Sequence, residues 1–139
     1  MKILEVLTKK RKIGNIGEDA ATKFLRKKKY KILERNYVAL GHEIDIIAES
    51  SDAIIFVEVN TRTAGKENPR ETRPSASVTP QKQQAILKTA AYYFNYNSKG
   101  KRAQFDVIEV FLSEKNGRSV VDKIVHLERT FNKNTAYRR

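Results

Sequence analysis

Two stretches carry acids where a sheet would be expected to be apolar: HEIDIIAES at 42–50 and IIFVEVNTR at 54–62. In the second, Glu58 follows Ile54, Ile55, Phe56 and Val57 and precedes Val59. Its carboxylate is therefore expected to be partly buried, and a buried carboxylate needs a partner. The two-residue period of a strand sets Ile54, Phe56, Glu58 and Asn60 on one face, and Glu43 with Asp45 on one face of the preceding strand. If the two strands pair around Ser50-Ser51-Asp52, Asp45 and Glu58 meet near the open end of the hairpin. Adjacent carboxylates repel, and each then takes up a proton or a cation. A hard divalent cation suits such a site: Mg²⁺ accepts a few carboxylates, a backbone carbonyl and waters, and shares its other positions with a phosphate. Strands with one wet face also carry Asp and Glu routinely, and Arg62 or Arg35 would serve equally as a structural ion-pair partner for Glu58. At these residues alone the alternatives stay open.

The surrounding elements follow from hydrophobic period and turn chemistry. A helix is expected over about 15–28, capped by Asn15, with Ile16, Ala20 and Phe24 at helical spacing. Glu18 and Asp19 would complement the positive end of its dipole. YKILERNYV reads as a first strand with Ile32 and Val38 inward, ended by Gly41. The acid-bearing strands follow as a hairpin. The segment 61–79, rich in charge and turn residues, reads as a mobile loop whose Arg62, Lys66, Arg70 and Arg73 suit phosphate contacts. Thr79-Pro80 caps a second helix over about 80–96, with Ile86, Leu87, Ala90, Ala91 and Phe94 as its buried stripe. The neighbouring tyrosines, Tyr92, Tyr93 and Tyr96, could offer stacking surfaces for unpaired bases, but their helical spacing favours packing in the core or an interface. QFDVIEVFL and SVVDKIVHLE are two further strands about the Asn116-Gly117 turn. The order α-β-β-β-α-β-β gives an α/β or α+β class with a mixed sheet.

Composition narrows the partners. A chain of 139 residues fits a single domain, 1–139, with its core at about 12–131 and basic clusters at both ends. Lysine and arginine number 28 against 16 acids, a net charge of +12 with a pI of about 10.0. Such an excess favours polyanions, nucleic acid first among them. No run is apolar and long enough to span a membrane. The start, MKILEVLTKKRK, lacks the apolar stretch of a secretory signal. With no cysteine there is neither a disulfide framework nor a thiolate metal site. A cytoplasmic location is expected.

Several blocks occur in order across about 12–131: Gly14, Gly17 and Glu18 as GxxGE, then GHEIDIIA, FVEVNTR, SVTPQKQ, RAQFDVIEV and IVHLERTF. Together they resemble the bacterial YraN-type family of uncharacterised proteins, which resembles in turn the PD-(D/E)XK phosphodiesterases and the Holliday-junction resolvases. The resemblance implies a restriction-endonuclease-like fold, with a mixed sheet of about five strands flanked by helices. It implies a metal-dependent endonuclease acting on branched or single-stranded DNA, with Mg²⁺ or Mn²⁺ as cofactor and a homodimer as the assembly suggested by its resolvase-like relatives. Asp45, Glu58, the carbonyl of Val59 and Glu18 match its metal ligands, and Glu43 and Gln83 match supporting positions beside them. Basic residues of the first helix, Lys27 and Lys28, and of the 61–79 loop would hold the nucleic-acid backbone.

The third-strand motif of that superfamily ends in lysine, and here the position is Asn60. An ammonium stabilises charge developing on phosphorus, and an amide does not replace it. The role would pass to Lys82 first, or to Arg62. The alternative is a nucleic-acid-binding module on the same fold that does not cut.

Overall fold

The computed structural model describes residues 3–64 and 78–137. Helix α1 (Ile3–Lys27) leads into strands β1 (Lys31–Ala39), β2 (His42–Glu49) and β3 (Ala53–Thr63). Helix α2 (Pro80–Asn97) is followed by β4 (Arg102–Lys115), β5 (Arg118–Leu127) and a single-turn helix α3 (Lys133–Ala136). The five strands form one mixed sheet in the order β1-β2-β3-β4-β5, parallel only between β3 and β4 and flanked by helices. This is the α/β architecture expected, and it is consistent with a restriction-endonuclease-like fold.

The central strand explains the apolar run around Glu58. Ile55 and Val57 pack with Ala21 and Leu25 of α1, whereas Ile54 and Phe56 pack with Ile86, Ala90 and Tyr93 of α2. A strand covered by a helix on each face is apolar at successive positions, not at alternate ones. The cap on α2 is as expected: the Thr79 side chain accepts from the Lys82 N–H at 3.2 Å, and proline opens the helix. The Asn116-Gly117 turn also forms, with both residues at positive φ (54° and 74°).

Three expectations are corrected. Helix α1 begins at Ile3 instead of near residue 15, so Asn15 is no cap, and Glu18 and Asp19 lie well inside the helix, away from its positive end. Gly14 and Gly17 are accommodated within the helix at a cost of about 1 kcal/mol each. Gly17 has a packing reason: a Cβ there would collide with the hydroxyl of Thr61, so only glycine lets α1 lie this close to β3. Val38 does not point inward but is 65% exposed. The pairing of β1 with β2 shifts between Ile32 and Glu34, and Tyr37 packs edge-on against Tyr93 with ring centroids 5.2 Å apart. Strand β3 runs on through Thr63, so the segment expected as a loop from 61 starts later, and residues 65–77 lie outside the described residues. Helix α3 was not anticipated. It is held by a capping box of Asn132 and Thr135 and by Gln84 Nε2, which donates to the Ala136 carbonyl at 2.7 Å.

Candidate functional site

The β2–β3 register pairs Glu49 with Ile54 and Ile46 with Val57. One step further along this ladder stand Asp45 and Glu58. The two strands do not continue as a regular ladder there; instead Asp45 Oδ2 accepts the Val59 N–H at 2.8 Å. A strand residue directs its N–H and C=O to the same neighbour, so the Val59 carbonyl faces this side as well. Burial pushes the Asp45 carboxyl up to about 8, with the charge of Glu58 next and that of Glu18 adding; the Val59 N–H opposes the rise. Glu58 is 7% exposed, and its Oε1 meets Lys82 Nζ at 2.5 Å. Its partner is therefore the lysine of α2, and neither Arg62 nor Arg35 takes that place.

Helix α1 brings the third acid. Glu18, Glu43 and Asp45 each present a carboxylate oxygen, all within 4.8 Å of one another. Asn36 holds two of them, donating from Nδ2 to Glu43 Oε1 at 2.6 Å and to Glu18 Oε1 at 3.0 Å. Arg35 pairs with Asp19 at 2.9 Å and approaches Glu18 only at 3.8 Å. Since Glu18 is not at the helix start, dipole complementarity does not account for it.

Asn60 and Arg62 lie on the face that carries Glu58, as the period required, and both engage Glu109. The Asn60 amide donates to Glu109 Oε1 at 3.3 Å, and Arg62 Nε donates to Oε2 at 2.8 Å. Glu109 is fully buried. Sequence reasoning gave it no role, although it sits in DVIEV much as Glu58 sits in FVEV. Asn36 was missed too; its one signal is a positive φ of 53°, a conformation asparagine tolerates.

Residues 17–110 match the family described as "Uncharacterised protein family UPF0102". That span holds Glu18, Asn36, Glu43, Asp45, Glu58, Asn60, Lys82 and Glu109. The chain belongs to the UPF0102 family. A UPF0102 protein of Alkaliphilus oremlandii is 42% identical over 124 residues, covering 87% of this chain and 98% of its own. One from Caldanaerobacter subterraneus subsp. tengcongensis is 39% identical over 123 residues, covering 88% and 96%. One from Caldicellulosiruptor saccharolyticus is 43% identical over 109 residues, covering 77% and 88%. The YraN-type resemblance holds at this level.

The other anticipated residues of this UPF0102 member are more dispersed. Gln83 is tied down locally, donating to the Val78 carbonyl at 2.9 Å and accepting from the Thr135 hydroxyl at 2.8 Å. Lys27 is exposed in the last turn of α1. Lys28 Nζ lies 2.9 Å from His126 Nδ1 and 4.8 Å above the Phe24 ring. With Lys28 donating to Nδ1, His126 Nε2 is left to donate to buried Asp106 at 2.7 Å; Asp106 also accepts from the Arg129 N–H. Asp106 thus ties β4 to β5 and the following turn, a fold-holding role. Lys66, Arg70 and Arg73 lie outside the described residues.

Proposed function

We propose that this UPF0102 protein is a metal-dependent phosphodiesterase acting on nucleic acid, DNA in the first instance, on a PD-(D/E)XK-type site. The observation that carries the reading is the cluster of Glu18, Glu43 and Asp45 at one end of the β2–β3 hairpin, with Glu58 near enough for its charge to act on Asp45. The donor set fits a hard divalent cation. It offers carboxylate oxygens with the Val59 carbonyl on the same side, and the pKa of Asp45 shows what the crowding costs when only a proton relieves it. Asp45, Glu58, Glu18 and the Val59 carbonyl would hold Mg²⁺ or Mn²⁺, with Glu43 beside them. When bound, the metal would supply positive charge against a phosphate and a lowered pKa for a bound water.

The chain's own groups complete the site. Lys82 fixes the Glu58 carboxylate and keeps an ammonium beside it, a charge of the kind the motif lysine would supply. The net charge of +12 favours a polyanion, and exposed Lys27 lies where a backbone phosphate can reach it. We place the protein in the cytoplasm; no helix among the described residues is long and apolar enough to cross a membrane. A homodimer belongs to the same proposal through the resemblance to the Holliday-junction resolvases.

One observation favours a second reading, binding without cleavage: Asn60 is neutral and its amide is committed to Glu109. A labelled panel of four-way junction, flap, single strand and duplex, incubated with Mn²⁺ or Mg²⁺, separates the two. The phosphodiesterase reading expects products that require metal and disappear in Glu58→Ala. Cutting by Asn60→Lys alone establishes the non-cleaving reading for the native chain. Silence from both proteins, with no retained nucleic acid, overturns both.

A further inference from the structure

Helix α2 carries a feature that the acid site does not use. Tyr93 turns into the core against Tyr37 and Phe56, but Tyr92 and Tyr96 on the outer face are 48% and 81% exposed. Of the three tyrosines, Tyr93 packs in the core, and Tyr92 and Tyr96 do not. The two exposed rings are neighbours, with centroids 6.0 Å apart and planes at 65°. Lys88, also exposed, precedes Tyr92 by four residues, so Lys88, Tyr92 and Tyr96 form one stripe along the helix. The helix contains no acid, and its only charges are Lys82 and Lys88. Thr89 donates to the Ala39 carbonyl at 2.9 Å, which sets the β1–β2 turn, with exposed Val38 and Leu40, beside this stripe.

We infer that Tyr92 and Tyr96 form a stacking platform for unpaired bases, so that the nucleic acid recognised includes a single-stranded segment running along α2 away from Glu58. This rests on the proposed reading for its ligand being nucleic acid and adds the substrate class. Charge and ring chemistry select the occupant: aromatic faces accept any base, and the adjacent lysine meets the backbone. With a rise of 1.5 Å per residue, Tyr92 lies about 15 Å along the helix from Lys82 and Tyr96 about 21 Å, so a strand of a few nucleotides connects platform and acid site. A second copy of the chain is the rival occupant. The apolar groove between α2 and the sheet, about 180 Å³ and lined by Phe56, Leu87, Phe94 and Phe105, would suit a protein partner better, and neither tyrosine lines it.

The test is fluorescence anisotropy of the full chain, in chelator so that nothing is cut, with fluorescein-labelled oligothymidylate and a duplex of equal length. The native protein should prefer the single strand. Tyr92→Ala/Tyr96→Ala should lose single-strand affinity on the order of 10-fold or more while duplex affinity holds, and Tyr92→Phe/Tyr96→Phe should restore it. The chain has six tyrosines and no tryptophan, so quenching of tyrosine emission by unlabelled oligothymidylate gives a second readout. Both sites are exposed and alanine favours helix, so the double variant should keep the native circular dichroism spectrum. Equal losses on both ligands, or none on either, overturn the platform. So does a dimer that falls apart in the alanine variant with nucleic-acid affinity unchanged. A native protein that binds no nucleic acid overturns the proposed function as well, whereas binding without cleavage removes only the phosphodiesterase.

Discussion

Asp45→Asn should stabilise the metal-free protein, and increasingly so as pH rises. Burial, with the charges of Glu58 and Glu18 adding, holds the Asp45 carboxyl at about 8 against an ordinary 3.8. Between those values the folded chain keeps a proton that the unfolded chain releases, so folding stability falls as pH increases and levels off above about 8. At pH 7 the difference spans roughly three pH units, on the order of 4 kcal/mol at 1.36 kcal/mol per unit. Asparagine cannot ionise and can still accept the Val59 N–H, so the variant avoids this loss. Its advantage should be near zero at pH 4 and greatest above pH 8. Even half of that energy is a shift in Tm of about 5 °C for a domain of this size. The assay is Tm by circular dichroism from pH 4.5 to 9 in chelator, read as the difference between the two proteins. That difference removes the opposite acid slope of Glu49 and Asp52, whose carboxyls are held low by Lys101 and Arg102. Adding Mn²⁺ should raise the native Tm more at pH 8 than at pH 6, because the cation must displace the proton, and should do little for the variant. Parallel Tm curves in chelator across pH 5–8 would refute the crowding argument.

Two stability predictions follow from packing. Glu109→Ala strips both Asn60 and Arg62 of a fully buried partner; it should cost about 3–5 kcal/mol, measured by urea denaturation. A cost below about 1 kcal/mol for Glu109→Ala would dismiss Glu109 as the anchor. Gly17→Ala forces a methyl onto the Thr61 hydroxyl and should cost about 1–3 kcal/mol. Thr61→Ala should recover part of it in a double-mutant cycle, and strict additivity of the two would show that α1 does not press on β3 there.

The hairpin acids were readable because they obey a local rule: a two-residue period and a turn at Ser50-Ser51-Asp52 set Asp45 against Glu58 whatever else packs around them. The residues that complete the site are joined across distance instead. From its neighbours Glu18 was read as a helix-end charge because Asn15 looks like a cap, and only the contact with Thr61 shows Gly17 to be a packing device. The bonds from Asn36 to Glu18 and from Arg62 to Glu109 span 18 and 47 positions, respectively. Neither has a periodic signature. The shift in register at Ile32/Glu34 is likewise invisible to a pattern that assumes strict alternation.

The pairing of charges bears on what Asn60 means. On the α2 side of the sheet Glu58 faces Lys82 and Glu109 faces Arg62, one cation to each buried acid. A lysine at position 60 would bring a third cation toward Glu109, which Arg62 already neutralises. With asparagine there, the amide fills the second oxygen of Glu109 without adding charge, and Lys82 supplies the ammonium at Glu58 from α2. On the proposed reading, the site has therefore moved its cation from the strand to the helix. Replacing Lys82 by methionine should then remove cleavage while leaving the metal-induced rise in Tm, since the carboxylates that would hold the metal are untouched. If Lys82→Met keeps full activity, the cation at Glu58 serves the fold alone.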